Sequence, residues 1–198
     1  SMLFAKRESL WRYIAGKTTG EGLCAEFGVH TGWSINHLAR LLKPRGLTIY
    51  GFDSFRGLRE DWHGTSLAAG HFDLGGEAPA VEDNVTLVAG WIDQTLPAFL
   101  SAHPGELFSF VHIDLDTFES ASMVLALLER DPFNGKPPQF VRGLLYGYRF
   151  ADADTHRRVL RQVRRAVRRV PFGHALHAEG RVPGGLRRAH GGAAPAGQ

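Results

Sequence analysis

Short apolar runs alternate with helix-like stretches through most of the chain, and this alternation is the strongest constraint on its fold. Leu23–Phe27, Leu47–Phe52 and Phe108–Ile113 have the length of buried strands. Between them, stretches such as Trp33–Leu42 carry apolar residues at helical spacing. Strands that alternate with helices pair in parallel, and helices cover both faces of the sheet. The sequence therefore predicts an α/β fold with a mostly parallel sheet.

The other elements continue this pattern. We predict helices over 3–15, Gln94–Ala102 and Phe118–Leu128, and a strand over Val85–Val88. Residues 56–83 have many glycines and no clear period, so we predict a long loop, which in compact domains is usually a lid or a disordered segment. Ligands of such folds bind beyond the carboxyl ends of the strands, so the residues after each strand matter most.

The C-terminal third differs in charge from the rest of the chain. Residues 1–130 carry 10 Lys and Arg against 16 Asp and Glu, whereas residues 131–198 carry 13 against 4. We expect one domain over 1–150, whose first two residues are left over from the removal of a purification tag. A basic helix over 151–179 and a disordered tail over 180–198 should follow it.

Two elements are predicted within this basic third, a fifth strand over Gln139–Tyr146 and a helix whose valines share one face over Thr155–Val170. Basic segments can bind nucleic acid. Here no aromatic residues lie between the arginines, as a surface that stacks bases would need. We therefore expect no nucleic-acid partner.

Composition also bears on location and assembly. The sequence has no run of eighteen apolar residues and no apolar core of a signal peptide, so we expect no membrane partner. The single Cys24 cannot form an internal disulfide, which fits the cytoplasm. The sheet could be incomplete at its C-terminal edge, and since an open edge invites pairing, a homodimer is one open arrangement.

The turn after the first strand reads Glu26-Phe27-Gly28-Val29-His30-Thr31-Gly32. An acidic residue, Gly-x-x-x-Gly and a helix form the turn that approaches nucleotides in many α/β proteins. Gly28 lets the backbone come close to a ligand, and Gly32 lets the helix begin near the sheet. A tight turn without a ligand is the alternative. The pattern Gly-x-Gly-x-x-Gly is absent, which disfavours an NAD-dependent oxidoreductase.

Asp53 stands at the end of the second strand, in Tyr50-Gly51-Phe52-Asp53-Ser54-Phe55. A carboxylate there can accept hydrogen bonds from two ribose hydroxyls. Its distance in sequence from Gly28 is close to the ~20 residues expected of such a partner. An aspartate that caps the next segment is the alternative. Together, the glycine turn and Asp53 favour a ligand that contains adenosine.

The third strand leads into Gly90-Trp91-Ile92-Asp93. Trp91 could stack on an adenine ring, and Asp93 could face the ligand or cap a helix. A packed tryptophan beside a helix cap is an equally good interpretation of the same residues.

Two carboxylates follow the fourth strand, in His112-Ile113-Asp114-Leu115-Asp116. Alternation along a strand directs Asp114 and Asp116 to the same side, where the ligand crevice should lie. Two carboxylates there suit a hard cation such as Mg2+, or one metal ligand and one general base. Two caps for the following helix are the alternative, although unpaired buried carboxylates are costly.

Taken in order, these segments resemble the macrocin O-methyltransferase family, bacterial class I methyltransferases that depend on S-adenosylmethionine (SAM). The resemblance covers about residues 10–129. It is carried by Glu26–Gly32, Gly51-Phe52-Asp53-Ser54-Phe55-Arg56-Gly57-Leu58, Phe72-Asp73-Leu74-Gly75-Gly76, Gly90-Trp91-Ile92-Asp93-Gln94-Thr95-Leu96-Pro97 and His112–Asp116.

The resemblance implies a Rossmann-like fold, SAM as the methyl donor and Mg2+ to orient a substrate hydroxyl. It makes Asp114 the metal ligand, also placed near the cofactor, and Asp116 the catalytic base. The residues that it assigns to the cofactor are Glu26, Gly28, Val29, Gly32, Ser34, Asp53, Ser54, Trp91 and Asp114. The cation would lower the pKa of the hydroxyl, and Asp116 would remove its proton.

The chain departs from the family after the fifth strand. The family carries an acidic pair there that completes the metal site, but Phe140 is followed here by Val141 and Arg142. A shifted reading frame is one hypothesis: the codons CGA CGA GTA CTT CGG encode Arg157–Arg161, and one base later they encode Asp-Glu-Tyr-Phe.

The predicted function is SAM-dependent O-methylation of a small molecule, a sugar or secondary metabolite of bacterial natural-product biosynthesis. The alternative is a SAM-binding protein that lost its metal site and its activity. We expect substrate specificity to reside in the 56–83 loop and the N-terminal helix.

Overall fold

The structure is a computed structural model that describes residues 6–18, 21–61, 66–129, 143–146 and 174–177. These residues form a parallel sheet covered by helices on both faces. The α/β fold that the sequence predicts is confirmed.

Six strands make up the sheet of the described residues, in the order β3-β2-β1-β4-β5-β6, and all neighbouring strands are parallel. The chain winds outward from β1 to β3 and then returns to the other side of β1, where β4 pairs. Such a reversal opens a crevice at the carboxyl ends of the strands. The strands are β1 (Leu23–Phe27), β2 (Ile49–Asp53), β3 (Val85–Ala89), β4 (Phe108–Ile113), β5 (Gly143–Tyr146) and β6 (His174–His177).

Two apolar layers sandwich this sheet because the strand side chains alternate between its faces. On one face, Cys24 and Phe110 pack against α1 and α2; on the other, Phe27 and Val111 pack against α3 and α4. The helices are α1 (Arg7–Lys17), α2 (Trp33–Leu42), α3 (Ile92–Ala102) and α4 (Phe118–Glu129), and a 3-10 turn follows α2 at Lys43–Arg45. Within the described residues, no helix is long and apolar enough to cross a membrane.

The predicted bounds of β1, α2 and β4 coincide with those observed. β6 lies within 151–179, where the sequence analysis predicted a basic helix, so that prediction is wrong for His174–His177. The predicted helix over 155–170 and tail over 180–198 lie outside the described residues, as do Val141 and Arg142.

The described parts of the 56–83 loop are ordered rather than structureless. Phe55 is buried, and its carbonyl accepts hydrogen bonds from the N–H groups of Leu74 (3.1 Å) and Gly76 (2.8 Å). Arg56 and Asp73 form an antiparallel bridge beside this contact. The start of the loop is therefore joined to residues 73–76 by backbone hydrogen bonds.

Candidate active site

A cavity of about 440 Å³ lies at the carboxyl ends of β1, β2, β3 and β4. Its wall contains most of the site residues that the sequence predicts, whereas Glu26 and Gly32 do not line it. The predicted residues that line the cavity are Gly28, Val29, Ser34, Asp53, Ser54, Trp91, Asp114 and Asp116.

Gly28 joins the ends of β1 and β4. Its φ is +90°, and a Cβ atom at this position would lie 2.2 Å from the carbonyl oxygen of Asp114. On either side, the N–H of Gly28 donates to Phe52 (2.9 Å) and the N–H of Asp114 donates to Phe27 (2.8 Å). A glycine is therefore required here for the approach of two backbone segments, as well as for any approach to a ligand.

Asp53 is held by three backbone N–H groups. Its Oδ2 atom accepts from Val29 and His30, and its Oδ1 atom accepts from Phe55, each at 2.8 Å. An ionised carboxylate has about four lone-pair sites, so about one stays free, at Oδ1. Asp53 thus fixes the glycine turn and also keeps an acceptor site at Oδ1.

Glu26 lies behind the cavity wall. Its side chain is fully buried, and its Oε1 atom accepts a hydrogen bond from the Ser34 hydroxyl. His112 Nδ1 lies 3.6 Å from the same oxygen. Because Ser34 donates its only hydroxyl proton to Glu26, it presents oxygen lone pairs to the cavity. Glu26 thus acts on the site through Ser34, and Gly32, with φ of +83°, is the N-cap of α2.

The two aspartates after β4 have different neighbours. Arg7 of α1 lies against Asp114, with 3.4 Å between Nη1 and Oδ2. Burial, together with the negative charges of Asp114 and Asp53, raises the pKa of Asp116 to about 6. Asp116 is therefore a better proton acceptor near neutral pH than an ordinary aspartate.

Trp91 and Asp93 form one side of the cavity with Arg59 from the loop. The Arg59 guanidinium lies 4.3 Å from the centroid of the Trp91 ring and donates to both oxygens of Asp93 at 3.0 Å. Arg59 lowers the pKa of Asp93. Asp93 lies in the first turn of α3, so it both favours the helix start and reaches the cavity.

Several cavity residues were not among the predicted site residues, notably Arg7, His30, Trp33, Arg59 and Phe72. Three of these five residues, Arg7, Arg59 and Phe72, come from α1 and the 56–83 loop, the two segments to which the sequence analysis assigned specificity. Trp33 and Phe72 are large and partly exposed, at 56% and 36%. Their exposure beside a cavity is visible only in the structure, and no pattern in the sequence indicates it.

The predicted magnesium ligand already has a cation beside it. The Arg7 guanidinium lies 3.4 Å from Asp114 Oδ2. The described residues contain no group of three or more His, Cys, Asp or Glu side chains that could hold a metal ion. Mg2+ usually keeps several waters and is held by one or two carboxylates, so an ion at Asp114 would have to displace the guanidinium.

The cavity does fit a nucleoside-like cofactor. Trp91, Phe52 and Ile92 supply aromatic and apolar surface, Asp53 keeps an acceptor site, and Ser34 presents its oxygen. Its volume falls within the range usual for small-molecule sites.

Comparison with known proteins finds one matching family and several similar folds. The family model of a methyltransferase domain matches residues 25–131. The fold is similar to that of CalS11, calicheamicin methyltransferase, with a TM-score of 0.53 and 21% identity over 81% of this chain and 68% of that one. For the O-methyltransferase NovP, the TM-score is 0.45 and the identity 21%, over 62% of this chain and 58% of that one. No curated protein matches this chain.

Proposed function

Because this chain belongs to the methyltransferase domain family, we propose that it is a SAM-dependent O-methyltransferase that acts on a hydroxyl group of a small molecule. One observation carries the proposal: a single cavity brings together Asp53, Trp91 and Asp116 from the ends of three strands. These residues supply an acceptor for a ribose hydroxyl, an aromatic surface and a base.

The β1–β2 side of the cavity would hold the cofactor. Trp91 would contact the adenine ring, and Asp53 would accept a hydrogen bond from the ribose through Oδ1. The Ser34 oxygen would accept a hydrogen bond from an ammonium group, since the proton of Ser34 is used by Glu26. Hydrogen bonds already hold Asp53 and Ser34 in place, so these side chains need little further ordering when a ligand binds.

The β4 side would carry out proton transfer. When bound, SAM supplies an activated methyl group to a nucleophilic oxygen. Asp116 would accept the proton of the substrate hydroxyl, and its raised pKa suits this role. The role of Asp116 is proposed without a metal ion, because the Arg7 guanidinium lies against the predicted metal ligand Asp114.

For the substrate, we propose a sugar or a secondary metabolite, as membership of the macrocin O-methyltransferase family would imply. The five sequence segments quoted above support this membership. Trp33 and Phe72 beside the cavity offer ring surface to such an acceptor. A cytoplasmic location, a small-molecule partner and a catalytic domain over 1–150 belong to the same proposal, and a homodimer remains an open arrangement.

A catalytically impaired SAM-binding protein is the second candidate. It is favoured by the ion pair between Arg7 and Asp114, at the position where the family places a metal ligand. It differs from the first candidate in one respect only, since it binds the cofactor and does not transfer the methyl group.

Calorimetric titration with S-adenosylhomocysteine (SAH), in Mg2+ and in EDTA, tests the cofactor site. We expect binding with a Kd near 1 μM or below, about −8 kcal/mol. Ser34→Ala removes the oxygen in the cavity wall and should weaken binding. Ser101→Ala removes an exposed hydroxyl that bonds to Pro97 outside the cavity, and it is the control. If SAH does not bind in either buffer, the proposal fails; binding without methyl transfer to any hydroxyl compound favours the second candidate.

A further inference from the structure

The side chain of Arg7 extends from the first turn of α1 to the predicted metal ligand. Its Nη1 atom lies 3.4 Å from Asp114 Oδ2, although the two residues are 107 positions apart in sequence. Both side chains line the cavity and are only partly exposed, at 50% for Arg7 and 35% for Asp114. The pair is therefore part of the cavity wall rather than a contact on the outer surface.

Two tryptophan rings hold the guanidinium in this position. The Cζ atom of Arg7 lies 5.7 Å from the ring centroid of Trp11 and 5.8 Å from that of Trp33. Trp11 is completely buried, and its ring lies 5.5 Å from the Trp33 ring. Cation–π contacts of this kind favour a guanidinium over a neutral group. The position of Arg7 thus depends on a fixed surface, not on Asp114 alone.

The charge of Arg7 matters because the cavity wall is acidic. Asp53, Asp114 and Asp116 all line it. Asp53 already has three N–H donors, whereas the other arginine of the wall, Arg59, is bound to both oxygens of Asp93. Arg7 lies against Asp114, the first of the two carboxylates after β4.

We propose that Arg7 is the resident counter-charge of Asp114 and keeps divalent cations away from it. A metal ion at Asp114 would have to displace the guanidinium and would meet its positive charge. The inference rests on the proposed function in that it concerns the same cavity. It extends that function by assigning a guanidinium, rather than a metal ion, to the charge balance of the site.

Titration with Mn2+ tests this inference without any need for activity. The full chain is titrated, and free Mn2+ is measured by electron paramagnetic resonance, for wild type, Arg7→Ala, Arg7→Lys and Asp114→Asn. Arg12→Ala is the matched control, because Arg12 is an exposed arginine of α1 that does not line the cavity. Arg7→Gln replaces Arg7→Ala if circular dichroism shows that the alanine variant is not folded.

We expect wild type, Arg7→Lys and Arg12→Ala to bind Mn2+ equally weakly, with Arg7→Ala at least fivefold tighter. Adding Asp114→Asn to Arg7→Ala should abolish the gain. Stoichiometric Mn2+ binding by wild type that Asp114→Asn removes would overturn the inference, and so would equal affinities of wild type and Arg7→Ala. SAH binding is measured on the same samples: its loss would count against the proposed function, whereas the Mn2+ comparison decides the role of Arg7.

Discussion

Two aspartates on opposite sides of β1 show how the same side chain acquires different roles. Asp53 ends β2 and Asp116 follows β4, and both strands pair with β1. Three backbone N–H groups bind Asp53, so it organises the glycine turn that lines the cavity. Asp116 is partly buried beside two other carboxylates, and its pKa rises to about 6. Position at a strand end therefore does not define a role; the local donors and charges do.

Loss of the proposed base should give the largest effect. In Asp116→Asn, the rate of SAH formation with an accepted hydroxyl compound should fall about 10²–10⁴-fold, because the amide cannot take a proton. SAH affinity should stay within about twofold. Asp83→Asn, at an exposed residue paired with Lys43 outside the cavity, is the control. A variant of Asp116 with undiminished rate would remove the distinction between the two aspartates.

Asp53→Asn should act on stability and on cofactor binding together. An amide nitrogen in place of one oxygen would face backbone N–H donors, so the free energy of unfolding should fall by about 2–3 kcal/mol. SAH affinity should fall at least tenfold, since the glycine turn loses its support. Urea denaturation and calorimetry measure both.

Asp73→Asn is the matched control for this change. Asp73 is an exposed aspartate whose Oδ1 accepts from the N–H two residues later, as Oδ1 of Asp53 does. It lacks the two further N–H donors, so we expect a loss below about 0.5 kcal/mol. Similar losses in both variants would mean that the backbone contacts of Asp53 are not what distinguishes it.

The sequence predicted the strands that carry these aspartates but not their partners. Hydrophobic runs locate β2 and β4 because most residues of β2 and every residue of β4 are buried. The turn of Asp53 depends on N–H groups 23 and 24 positions away, and hydrophobic periodicity contains no information about such contacts. For the same reason, Glu26 was expected to reach the ligand, whereas the fold buries it behind Ser34.

Stability should depend on pH through Asp116. Its pKa in the folded protein, about 6, exceeds the ordinary aspartate value of 3.8, so the folded state binds this proton more tightly. The stabilisation that results is present below the unfolded pKa and is lost as pH rises through about 6. At pH 7, Asp116→Asn should therefore be about 1–2 kcal/mol more stable than wild type, allowing for the partial exposure of the side chain.

Denaturation of wild type and Asp116→Asn from pH 4 to pH 8 measures this difference. The gain should shrink toward pH 4, where the wild-type carboxyl is protonated. A gain that is equal at both pH values would show that ionisation of Asp116 is not its cause.

Arg59→Ala should give the smallest effect. It removes a guanidinium from the Trp91 ring and from the exposed Asp93, so we expect little change in stability. We expect SAH affinity to fall two- to fivefold, because Trp91 loses a contact that orients its ring. Tryptophan fluorescence during titration measures this, and Arg40→Ala, at an exposed pair with Glu82, is the control.

The position of Arg7 and the order of the 56–83 loop were not predicted, because contacts between elements far apart in sequence determine them. The pattern of α1 predicts an amphipathic helix, but nothing in it places Arg7 beside Asp114. Only the packing of Trp11 against His112 and α2 fixes that orientation. Likewise, the 56–83 loop has no period because its order comes from Phe55 and a few glycines rather than from regular structure.

The loop segment from Gly57 to His71 begins and ends at the same place. A Cβ atom on Gly57 would lie 2.2 Å from the carbonyl oxygen of His71, so the backbones at the two ends of the segment are in contact. Beyond it, Asn36 of α2 bonds to the backbone of Ala80 and Glu82 and anchors the returning chain. We expect that residues between Leu58 and Gly70 can be replaced without altering the sheet, so grafting of this part of the loop is a route to a changed acceptor preference.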